Sequence, residues 1–172
     1  MYTLPRQLLD LCLLRVGPQE LPGDARLPLW LALAYVLVGG IVLSSENGFG
    51  EGMAQAALDA ALLAVFVLSI LRVRERPQRF NQTYAALMGI NLVIALVSWP
   101  LLVISTDQVA ATLSPAQMGL LAVLVWNLIA QGQVLRSALD TSAGVGLLLA
   151  FVYFLLTSLL LVALFPGEAP VT

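Results

Sequence analysis

Asp59 is the single acidic residue inside a long apolar run, "ALDAALLAVFVLSIL" over 57–71. Gln55 precedes it by one helical turn and shares its face. Ionisable groups inside apolar spans are costly and mark cavities or polar partners. Two readings follow for Asp59. One is a proton- or cation-responsive carboxylate facing a cavity; the other is a shallow acid satisfied by a neighbouring helix or by headgroup water. Asn91 and Asn127 sit near the middles of two later apolar runs, and Gln131 follows Asn127 by one turn, with Gln133 beyond it. The two asparagines are placed to hydrogen-bond each other across a helix pair. A polar path from Asp59 through Asn91 and Asn127 is the sharper expectation, and interhelical adhesion the plainer one.

What the chain lacks narrows the chemistry further. It has no histidine, no lysine and one cysteine, Cys12. Intrachain disulfides are thereby excluded, as are serine and zinc hydrolase mechanisms that depend on histidine. An aspartyl protease needs two carboxylates sharing one site, and one acid lies within a span. A lipid-modifying enzyme using Arg and Asp at the membrane surface is the remaining catalytic option. No catalytic residue, metal site or cofactor is expected.

These polar residues must be positioned by membrane-spanning helices. The 172 residues are 60% hydrophobic and 10% charged, with a mean hydropathy of +0.94. Soluble domains of this length are typically about a quarter charged. With so few charges a water-soluble fold would expose large apolar patches. Continuous apolar runs exclude a membrane barrel. Five runs are long enough to cross a bilayer: 27–43, 54–71, 84–104, 115–135 and 145–165. "SSENGFGEG" reads as the turn between the first two, which puts Asp59 about 8 Å from the start of the second at helical rise. "SPAQ" opens the fourth, with Ser114 as N-cap and Pro115 in the first turn. The expected fold is an all-α polytopic bundle of five transmembrane helices. Residues 1–26 hold a short amphipathic helix lying in the headgroup plane, followed by a linker broken at "GPQELPGD". Residues 166–172 form a tail.

The eight basic residues, all arginines, fix the expected orientation. Arg72, Arg74, Arg76 and Arg79 lie between the second and third spans, Arg6, Arg15 and Arg26 precede the first, and Arg136 follows the fourth. With five crossings all fall on one side. The opposite loops and tail carry Glu46, Glu51, Asp107 and Glu168 and no base. The positive-inside rule then places the N-terminus in the cytoplasm and the C-terminus outside. The 72–79 cluster is also suited to anionic headgroups. It lacks the aromatic platform of a single-strand nucleic-acid site, so no nucleic-acid partner is expected.

Small residues suggest close helix approach at Gly39–Gly40, at Gly144 and Gly146, and along a stripe of Ala57, Ala60, Ala61 and Ala64. Tyr153, Thr157 and Ser158 on the fifth span read as local bonds to backbone carbonyls. A short amphipathic segment, the break "GPQELPGD" and five close-set spans together resemble the Yip1-domain membrane proteins. The long cytoplasmic tail of eukaryotic members is absent. The resemblance implies a non-enzymatic membrane protein that organises partners or shapes bilayers; membrane-protein partners or self-association are the expected interactions. The Arg/Ala/Leu-rich, lysine-free composition is that of a bacterial inner-membrane protein. A scaffold or accessory subunit is the functional expectation, with a small transporter or channel component as the alternative. Compartment-sensitive reporters fused to the two termini should report opposite sides of the membrane; both on one side would overturn the odd number of crossings.

Overall fold

The computed structural model describes residues 4–21, 24–105 and 114–165, except the side chains of 45–47. The expectations for Pro22, Gly23, Asp107, Glu168, the tail 166–172 and the Glu46 side chain lie outside the described residues. Six α-helices follow one another, and no strand occurs among the described residues: α1 Leu4–Cys12, α2 Leu27–Asn47, α3 Phe49–Val73, α4 Phe80–Ser105, α5 Pro115–Leu139 and α6 Ala143–Leu164. Three-residue 3-10 turns occupy Pro18–Glu20 and Pro77–Arg79. Five helices, α2 to α6, have the length and apolarity to cross a membrane, the make-up of a multi-pass membrane protein.

The helices overrun the apolar stretches, for local reasons. The stretch read as a nine-residue turn, "SSENGFGEG", is two helix ends joined by Gly48 alone, whose φ of +83° favours glycine. α3 therefore begins at Phe49, and Asp59 lies ten residues in, about 15 Å along the axis rather than 8 Å. α5 opens with the expected capping box: Gln117 N–H donates to Ser114 Oγ at 3.2 Å and Ser114 N–H to Gln117 Oε1 at 2.8 Å. It continues past Arg136 and stops only where Asp140 turns left-handed, at φ +49°. α3 ends in the same manner at Glu75, where the Arg76 N–H returns to the Leu71 carbonyl.

Short connections fold successive helices back on one another. α2 packs on α3 and α4, α4 on α5, α5 on α6, and α6 returns to α3. The spans thus form a ring in the order α4, α2, α3, α6, α5. Two glycine seams set its tightest spacings. A Cβ at Gly52 would lie 2.6 Å from the Ser44 nitrogen and 2.7 Å from the Gly40 carbonyl oxygen. A Cβ at Gly146 would overlap the Gly132 carbonyl oxygen. Of the glycines anticipated as close-approach points, Gly40 and Gly146 serve; Gly144 faces open space. The alanine stripe splits, with Ala60 buried and Ala57 and Ala61 exposed.

α1 packs against α4 and α5. Leu8, Leu11 and Cys12 are buried, and Leu8 meets Gly89. The Cys12 carbonyl, left without a partner at the end of α1, accepts from the Trp126 indole N–H at 2.8 Å. With α1 on one side and the bundle on the other, α4 is buried without interruption from Thr83 to Asn91. Replacing Gly146 with valine should cost about 1–3 kcal/mol by overpacking and lower the unfolding temperature in detergent. Gly144→Ala, facing open space, should leave that temperature unchanged or raise it.

Candidate functional site

The polar residues of the spans meet in one layer. Asp59 stands on α3 with its carboxylate between two tyrosines from other helices. Tyr35 of α2 donates its hydroxyl to Oδ2 at 2.5 Å, and Tyr153 of α6 donates to Oδ1 at 2.6 Å. Tyr153 also lies 3.1 Å from the Asp59 backbone carbonyl. Its ring packs on Phe66 with centroids 5.2 Å apart, which holds the hydroxyl in place. Hydrogen bonds of this charge-assisted kind are the stronger ones. At the next residue of α3, the Tyr84 hydroxyl donates to the Ala60 carbonyl at 2.9 Å, fastening α4 to α3.

The amide residues form the second half of the layer. Asn91 and Asn127 do not pair directly. Gln131 stands between them, its Nε2 donating at 3.0 Å to each side-chain oxygen. Asn91 and Gln131 are buried. Gln133 turns away and accepts from Arg136 at 3.3 Å. Counted from the arginine-bearing helix ends, Gln131, Asn91 and Asp59 lie roughly 12, 17 and 21 Å along their axes, well inside the bundle.

A cavity of about 300 Å³ touches this layer, and all five spanning helices contribute to its wall. Asp59, Asn91, Asn127 and Gln131 all line it, as do Gln55 and Thr157. Thr157 is 7% exposed. Beyond these residues the wall, Ser158 apart, is apolar and runs along Val42, Leu43 and Leu161, toward the helix ends opposite the arginines. Toward the arginines the core between the helices is filled by Leu63, Val67, Leu71, Leu87, Met88 and Leu135, all at most 1% exposed. Separate hollows of about 260 and 300 Å³ lie at that end beside Arg79 and Arg74, and neither shares a lining residue with the cavity at Asp59.

The arginine cluster divides in two. Arg76 and Arg79 both bond Oδ2 of Asp140, in the turn between α5 and α6, the Arg79 contact measuring 3.3 Å. Arg79 also donates to the Ser137 and Ala138 carbonyls at 3.3 and 3.0 Å, satisfying the C-terminal end of α5. Arg72 and Arg74 are exposed at the end of α3. Cys12 offers no reactive thiol, because burial pushes its pKa up to about 11.

Tyr35 is the residue of this candidate site that sequence reasoning missed; Tyr153, read as a local bond to a backbone carbonyl, instead reaches Asp59 on another helix. Their signal was present, since a tyrosine inside a span needs a partner for its hydroxyl. No family of proteins, no curated protein and no solved structure matches the chain. Gln131→Leu would leave two amide oxygens without their shared donor. Interhelical hydrogen bonds in membranes are worth about 0.6 kcal/mol on average and rarely above about 1.7. The variant should therefore lose roughly 1 kcal/mol in a reversible detergent-unfolding assay, and Gln133→Leu close to none.

Proposed function

We propose that this chain is a small transporter or channel component, with the polar layer at Asp59, Asn91 and Asn127 as the narrow part of its path. One observation carries the reading: a cavity of about 300 Å³, walled by all five helices, reaches the carboxylate of Asp59, and buried aliphatic side chains such as Leu63, Val67 and Leu87 separate it from the arginine-bearing end. Such a half-path gives a solute or ion access to a buried charged group without opening the barrier. Asp59 is the residue that would bind or respond to a cation. Asn91, Asn127 and Gln131 line the layer beside it.

Retention of the arginines in the cytoplasm would make the cavity face the outside of a bacterial inner membrane. Arg72 and Arg74, exposed at that end, are then placed for anionic headgroups. Leu9, Leu13 and Leu14 are exposed beside Arg6 and Arg15. Leu8, however, meets Gly89 and the Cys12 carbonyl meets Trp126, well along α4 and α5. These contacts favour a position for α1 dipping between the spans over one in the headgroup plane. The scaffold reading drew on small-residue faces, and the seams at Gly40, Gly52, Gly132 and Gly146 are used within the chain. The Yip1-like layout bears on the span count and the N-terminal segment rather than on the cavity.

Reconstituted into liposomes, the protein should raise the flux of at least one of protons, sodium, methylammonium and glycerol above that of empty vesicles. Asp59→Asn should cut that flux at least tenfold. Flux no greater than in empty vesicles for all four, or flux that survives the substitution unchanged, overturns the proposal.

A further inference from the structure

We infer that the cavity takes a small organic ammonium ion, its charged head on Asp59 and an apolar substituent along the outer wall. This rests on the reading of the cavity as a solute path and names the class of cargo. Charge comes first. Asp59 is the one ionisable acid lining the cavity, and no arginine lines it. An anion would meet an uncompensated carboxylate in a poorly hydrated space, so anions are disfavoured.

The supply of acceptors suits an ammonium head. Each carboxylate oxygen of Asp59 receives one tyrosine hydroxyl, and a carboxylate offers about four acceptor positions. Two therefore remain for a ligand. The Asn127 side-chain oxygen accepts from Gln131 and, like any carbonyl, retains a second lone pair. The Thr157 hydroxyl is buried and lines the cavity beside Tyr153, with oxygen lone pairs to offer. It follows Tyr153 by four residues on α6, so it stands on the same face one turn outward. An alkylammonium carries three N–H donors, and the residues lining this one cavity offer at least as many acceptor positions.

The walls decide between an organic and an inorganic cation. Val42, Leu43, Ile94, Leu128, Phe154 and Leu161 offer nothing to a hydrated metal ion. Hard divalent cations demand six to eight oxygens or keep their waters. No cluster of three or more potential metal-ligating residues exists among the described residues. An apolar substituent gains from burial against the same walls, and Tyr35 and Tyr153 add aromatic surface that favours an organic cation. The volume lies at the lower end of small-molecule sites, which limits the guest to roughly one ring or a short chain.

The test is calorimetric titration of the full chain in phosphatidylcholine nanodiscs, corrected against empty discs. The probes are 2-phenylethylammonium, its neutral isostere 2-phenylethanol and the anion 3-phenylpropionate. The ammonium should bind saturably and at least tenfold more tightly than either isostere. Asp59→Asn should abolish that preference, and Thr157→Val should weaken ammonium binding about three- to tenfold with unfolding temperature unchanged. If Asp59→Asn fails to fold, the wild type still decides: 2-phenylethylammonium should block liposome flux, and 2-phenylethanol should not. Equal binding of all three probes, or a preference untouched by Asp59→Asn, overturns the inference. Flux of protons or sodium without ammonium binding or block removes the cargo class and leaves the path standing; absence of both flux and binding removes both.

Discussion

A carboxylate held far from either end of its helix has to be satisfied by the protein itself. Asp59 meets that requirement with hydroxyls from α2 and α6. The consequence is architectural as well as electrostatic. Bonds from Tyr35 and Tyr153 converge on α3 from two sides, and the α3–α6 contact that completes the ring includes one of them. The charged group that most threatens a membrane bundle is thus the point on which three of its helices agree.

The two halves of the bundle solve different problems. Toward the arginines, large aliphatic side chains fill the space between helices and α1 covers the face of α4 left bare. There the loops are also tied, with Arg76 and Arg79 clamped on Asp140 and on the last carbonyls of α5. Toward the opposite end the ring leaves space. One glycine seam, Gly40 with Gly52, draws α2 onto α3 in this half; the other, Gly132 with Gly146, draws α5 onto α6 nearer the arginines. The cavity lies where Tyr35 and Tyr153 converge on Asp59 and Gln131 meets Asn91.

Much of the scaffold was legible in the residues. Apolar runs announced five spanning helices because lipid tolerates few other backbones, and Ser114 with Gln117 announced the start of α5 through its local bonds. Helix ends were less legible. The break at Gly48 depends on one backbone angle, and α5 passes Arg136 because a charged residue at a helix end need not terminate it. Small-residue seams were half visible: Gly40 and Gly146 drew notice, yet their partners Gly52 and Gly132 could be named only once the helices were set side by side.

Sequence alone determined the spans and the inventory: five runs are long and apolar enough to cross a membrane, and polar residues within them are few enough to name singly. It did not settle their partners. Asn91 and Asn127 were expected to meet, and Gln131 came between them. Tyr35 drew no notice, and Tyr153 was assigned a local backbone bond, until three helices converged on Asp59. Periodicity specifies which face of a helix a residue occupies, but pairing across helices depends on rotation and axial offset, which backbone packing at the glycines decides. Tertiary structure alone therefore determined that the carboxylate, the amides and the Thr157 hydroxyl line one cavity.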